Sequence, residues 1–99
     1  MVKFDDLRAS YQRISKYLVN TPIVTSERLN SSFNANLFLK NEVEQLTGSF
    51  KIRGALSALS KLKEEGVEGV VAFSSGNHAQ GVSKAAQIFD MRAIIVMPE

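Results

Sequence analysis

Gly69-Val70-Val71-Ala72-Phe73, Ser74-Ser75-Gly76-Asn77-His78-Ala79-Gln80-Gly81 and Arg92-Ala93-Ile94-Ile95-Val96-Met97 carry the reading that sets the fold of this chain. The first run is rich in β-branched and aromatic residues and reads as a strand. The second is small and polar. It leads into a segment whose apolar positions include Val82, Ala85, Ala86 and Phe89, which reads as a helix. Asp90-Met91 is the next connection, and the third run is another strand, ending at Pro98. Strand, helix and strand within ~30 residues make a βαβ unit, so the two strands are expected to be parallel with a right-handed crossover. The segment Ser74–Gly81 then lies at the carboxyl end of its strand, where open α/β sheets place ligands.

The loop itself combines glycines, which admit close backbone approach, with a helix N-terminus that offers unpaired N–H donors. Ser74, Ser75, Asn77 and His78 add side-chain donors, so a carboxylate or phosphate would suit it. A polar helix cap without any ligand is the alternative. Several chemistries fall away. Gly76 and Gly81 have P-loop spacing, but Val82-Ser83 stands where a lysine and a hydroxyl residue are needed, and no G-x-G-x-x-G is present. His78 is the only histidine and cysteine is absent, so no metal site is expected. The Ser-Gly-Asn order does not match the G-x-S-x-G of a hydrolase elbow.

Upstream lies Thr47-Gly48-Ser49-Phe50-Lys51-Ile52-Arg53-Gly54-Ala55. Ser49 is an N-cap residue by type, and Phe50, Ile52, Ala55, Leu56, Leu59 and Leu62 then follow largely at helical spacing. The helix is expected to run to about Glu65 and stop at Gly66. Lys51 falls at about its second position, where the free N–H groups and the macrodipole disfavour a cation. Arg53, two residues on, adds like-charge repulsion if the side chains meet. Both effects favour the neutral amine, a nucleophile toward carbonyl compounds. The alternative is a lysine that simply points into water.

Earlier in the chain, Phe4, Leu7, Tyr11, Ile14 and Leu18 trace one stripe of an amphipathic helix. Asn20-Thr21-Pro22 stops it, because the residue before proline avoids helix. Ile23-Val24 reads as a short extended piece, Ser26 as the cap of a brief helix through Leu29, and Asn30–Asn36 as a polar connection. Asn36–Asn41 reads as a short buried strand. Val67-Glu68-Gly69 is a loop or a hinge between lobes.

The 99 residues fit one small domain, and a hydrophobic content of 44% is ordinary for a globular chain. The net charge of +2, from 12 basic and 10 acidic residues, is interspersed, which argues against nucleic-acid or membrane partners. Without cysteine there is no disulfide framework, and no run reaches the ~20 apolar residues of a membrane span. Asp5 and Asp6 near the start do not suit a signal peptide, so a cytoplasmic protein is expected.

Taken together, Lys40-Asn41-Glu42, Gln45 and the run Thr47–Ala55 resemble the cofactor-lysine motif of the serine/threonine dehydratases, the threonine deaminase and serine racemase group of fold-type-II pyridoxal-phosphate enzymes. Ser74–Gly81 is similar to their asparagine loop, and Asn20-Thr21-Pro22 to their early threonine-proline element. The resemblance implies an α/β, two-lobed fold with a parallel sheet and flanking helices. Residues 1–66 would belong to the larger lobe and 67–99 would open the smaller one. It implies pyridoxal 5'-phosphate as cofactor, held by Lys51 with Phe50 beside its ring and Asn77 bonded to it. Lys51 would also be the proton-transfer base. Ser74, Ser75, Asn77 and His78 would take the substrate carboxylate, and Ser75 is further implied as an acid–base residue on the other face, as in serine-racemase-like members.

The implied reaction is conversion of a small-molecule hydroxy amino acid, threonine or serine, to a 2-oxo acid and ammonia. A homo-oligomer is implied for the full-length parent. Such enzymes are much longer, and their glycine-rich phosphate loop and the residue facing the pyridine nitrogen have no counterpart here. The chain therefore reads as a truncated, incomplete fragment of little activity of its own. The alternatives are serine racemase activity and a non-catalytic remnant that binds a small anion or a partner chain.

Overall fold

The computed structural model describes all 99 residues. Helix α1 spans Phe4–Ile14 and continues as a 3-10 turn over Ser15–Tyr17. Strand β1 (Ile23–Val24), helix α2 (Glu27–Phe33) and strand β2 (Leu39–Lys40) follow. Two 3-10 turns, Glu42–Glu44 and Leu46–Gly48, lead into helix α3 (Lys51–Glu64). Strand β3 (Gly69–Phe73), helix α4 (Asn77–Ile88) and strand β4 (Arg92–Val96) complete the chain.

The βαβ expectation is met. Strands β3 and β4 are parallel, in a register that pairs Gly69 with Arg92 and Phe73 with Val96. Both helices of this region end where a left-handed residue lets the chain turn back. Gly66 takes φ +83°, with Val67 N–H donating to Leu62 O at 3.0 Å. Asp90 takes φ +51°, with Met91 N–H donating to Ala86 O at 2.9 Å, a conformation aspartate tolerates better than most residues.

The core centres on the contact between helices and takes the β3–β4 sheet on one side. Ile52, Ala55, Leu56 and Leu59 of α3 meet Val82, Ala85 and Ala86 of α4, with Ile14 from α1 and Met91 ahead of β4. These nine residues come from both sides of residue 66, so the segments 1–66 and 67–99 share one buried cluster. The helices approach closely because position 81 is glycine: a Cβ there would meet Lys51 C at 3.1 Å and Ile52 N at 3.2 Å. Val70, Ala72 and Ile95 put one face of the β3–β4 pair on this core. The other face, with Val71, Phe73, Ile94 and Val96, is open. The radius of gyration is 16.2 Å, against about 13 Å for a closed domain of this length.

Three local expectations need correction. The segment Asn36–Asn41 is not a buried strand: only Leu39–Lys40 is extended, paired antiparallel with Ile23–Val24, and Phe38 is 71% exposed. Its apolar run suggested burial, but no element of the chain covers this two-stranded ribbon. The helix after Ser26 runs on to Phe33 and ends at Asn34, whose left-handed backbone (φ +47°) closes it with N–H bonds to Asn30 O and Ser31 O. The stripe on α1 is helical as expected, yet only Ile14 is buried, and Phe4, Leu7 and Tyr11 face outward. No helix is long and apolar enough to cross a membrane.

Candidate active site

Ser49 caps α3 much as its residue type suggests. Its backbone is extended (φ −157°, ψ 163°), its hydroxyl accepts from Lys51 N–H at 3.4 Å, and Phe50 already has helical angles. Lys51 is thus the second residue of the first turn. Its side chain is exposed, with the amine 4.9 Å from the centre of the Phe50 ring. Just upstream the backbone is strained: Thr47, a β-branched residue, sits at φ +65°, and its buried hydroxyl has no partner.

The turn is fixed by a polar network that joins three separated pieces of chain. Glu42 accepts a two-pronged bond from Arg53, Nε to Oε2 at 2.8 Å and the terminal nitrogen to Oε1 at 2.7 Å. The buried Thr21 hydroxyl donates to the same carboxylate at 2.6 Å, and Lys40 Nζ donates to Thr21 O at 3.1 Å. The Arg53 bonds, helped by Thr21 and Lys40, hold the Glu42 carboxyl down at about 2 in spite of partial burial, and the same pair raises Arg53. The repulsion expected between Arg53 and Lys51 is therefore met at its source, since Arg53 is neutralised by Glu42. A second clamp lies alongside. The buried Gln45 amide accepts from Val19 N–H at 2.9 Å and donates to Val19 O at 2.8 Å.

The other half of the site is the loop between β3 and α4. Ser74 N–H donates to Val96 O at 3.0 Å, which continues the parallel ladder by one residue. Its hydroxyl accepts from Gly76 N–H and Ala79 N–H, each at 3.3 Å, and so organises the start of α4. Ser75, Asn77 and His78 are exposed, and none of their side chains is hydrogen-bonded within the chain. His78 and Lys51 line one open groove of about 500 Å³, with Phe50, Ala55, Val70 and Ala72 among its apolar walls. Asn77 and Gly81, four apart, share a helix face, so the face of α4 that touches the Lys51 backbone extends one turn up to Asn77.

Of the loop residues named from the sequence, His78 alone shares the groove with Lys51. Ser74, Ser75 and Asn77 sit at the mouth of α4 rather than in the groove lining. The sequence reading did not foresee the Glu42–Arg53–Thr21 network. Its signal was present only as polar residues 11 and 32 positions apart. An exposed amine beside an aromatic face, next to a loop of unengaged donors, fits the reactive end and ring of a carbonyl-bearing anionic cofactor. None of these residues forms a glycine-rich phosphate cradle.

A parallel βαβ unit with its polar loop at the strand end, joined to a helix-borne lysine, defines an α/β protein of the class that places ligands at its strand ends. The family model described as "Pyridoxal-phosphate dependent enzyme" matches residues 14–99, and the chain belongs to that family, whose cofactor is pyridoxal 5'-phosphate. It is 44% identical over 97 residues to an L-threo-3-hydroxyaspartate ammonia-lyase of Saccharomyces cerevisiae, covering 97% of this chain and 30% of that protein. It is 46% identical over 96 residues to a serine racemase of Schizosaccharomyces pombe, covering 96% of this chain and 30% of the relative. Among solved structures, a threonine deaminase of T.th. superposes with a TM-score of 0.85 at 47% identity, over 98% of this chain and 34% of that one. The chain thus spans about a third of the length of the relatives it matches.

Proposed function

We propose that this chain carries the lysine-bearing part of an enzyme that converts a hydroxy amino acid, threonine or serine, to a 2-oxo acid and ammonia. The observation that carries the reading is the joint placement of Lys51 and His78 on one groove, with Gly81 set against the Lys51 backbone. The names of the relatives, lyases and racemases of hydroxy amino acids, support the substrate class.

Lys51, Phe50 and Asn77 are the residues that would hold pyridoxal phosphate. When bound, the cofactor supplies an electron sink for negative charge at the substrate Cα. The Lys51 amine takes the Cα proton, a task for a helix-borne base whose turn is clamped from behind. Ser75, Asn77 and His78, unengaged within the chain, bind the substrate carboxylate together with the N–H groups that open α4. Ser74 joins them with its hydroxyl proton, since within the chain its oxygen only accepts.

Racemisation is the second reading. It is favoured by the exposed Ser75 hydroxyl, which has no intrachain partner and is free to move a proton. Incubation with pyridoxal phosphate, borohydride reduction and peptide mass mapping test the common part. Lys51 is expected to take the pyridoxyl group ahead of the other lysines, and Lys51→Ala to leave no dominant site. Even labelling across all lysines would count for a non-catalytic chain. Chiral analysis of the products from serine then separates lyase from racemase.

A further inference from the structure

Glu42 stands outside the groove, yet it grips the helix that carries Lys51. Arg53 leaves α3 two residues after Lys51, and both side chains border the groove that His78 shares. Arg53 is drawn to Glu42 by two bonds of 2.8 and 2.7 Å, and Thr21 and Lys40 tie the same cluster to the β1–β2 ribbon. A forked guanidinium–carboxylate pair fixes orientation as well as distance. The Lys51 backbone in turn rests against Gly81. The first turn of α3 is thereby held at two contacts.

We infer that Glu42 is a positioning residue for Lys51: by holding Arg53, it sets the rotation of the first turn of α3 and so delivers the amine to the groove it shares with His78. The chemical purpose rests on the function proposed above, whereas the rotation itself does not. No other carboxylate reaches Arg53, so the setting depends on this one side chain. Glu42→Gln keeps the size but loses the charge and the second acceptor oxygen, so it releases the fork without opening a cavity.

The test compares the wild-type chain, Glu42→Gln, Arg53→Gln and the double variant by two readouts. One is the share of pyridoxyl label that Lys51 takes after treatment with pyridoxal phosphate and borohydride. The other is the nuclear Overhauser contact between Gly81 Hα and the Ile52 amide, with contacts between β3 and β4 as the control for folding. In Glu42→Gln the Lys51 share is expected to fall at least about three-fold, and the double variant to be no worse, because both residues act through one bond pair. The Gly81–Ile52 contact should weaken while the β3–β4 contacts persist. An unchanged contact and label share would overturn the inference, and so would loss of the β3–β4 contacts in parallel, which marks a general loosening. If the wild-type chain takes no label at Lys51 but the contact responds as described, the proposed function fails and the positioning role stands.

Discussion

Around Lys51, side chains are engaged in holding backbone, whereas in the loop from Ser74 to His78 only one is. Glu42 and Arg53 lock the turn from one side, Gln45 ties its approach to Val19, and Ser49 caps the helix. Across the contact at Gly81, Ser74 alone braces the start of α4, and Ser75, Asn77 and His78 are left unengaged. The contrast is what the proposed function calls for. A group that must move a proton at one atom needs a fixed base, while donors that bind a ligand must be free of internal partners.

Replacing a residue that both halves share should blur this contrast most. Leu56 is fully buried between α3 and α4, and Leu56→Ala is expected to cost about 2–5 kcal/mol in urea unfolding, loosening lysine and loop together. Glu42 tests the lysine side alone. Its carboxyl titrates at about 2 in the folded chain against 4.5 ordinarily, so its contribution is present above about pH 4.5 and is lost as the pH falls toward 2. Glu42→Gln should remove this acid limb of the stability profile and lower stability at neutral pH by about 2 kcal/mol, read from urea melts across pH.

Gln45→Ala removes both bonds to Val19, and about 1–2 kcal/mol is expected, with amide exchange quickened at residues 45–49. Gly81→Ala probes the seam between the halves. Its methyl would press on the Lys51 and Ile52 backbone, and the strain outweighs the gain in helix propensity by about 1 kcal/mol. On the loop side, Asn77→Ala and Ser75→Ala should shift stability by less than about 0.5 kcal/mol, because nothing in the fold depends on these side chains. A large loss from either loop variant, as large as that from Gln45→Ala, would erase the distinction between clamp and cradle.

How much of this could be read without coordinates differs between elements. The βαβ unit, the cap at Ser49 and the stop at Gly66 are local events, governed by residue type and spacing over a few positions. So is the pairing of a strand end with the loop Ser74–Gly81. The exposure of Phe38 and of the α1 stripe was not readable, because an apolar pattern says which face wants cover and not whether anything arrives.

Residue order was therefore enough to establish an α/β chain with a helix-borne lysine and a polar loop at a strand end, since these follow from short-range backbone preferences. Three-dimensional packing was needed to bring Lys51 and His78 to one groove, to seat Gly81 on the Lys51 backbone, and to hand Arg53 to Glu42. Each of those is a contact between residues far apart along the chain. For Lys51, His78 and Gly81 it is the shared burial of α3 and α4, which no local pattern encodes, that determines the meeting.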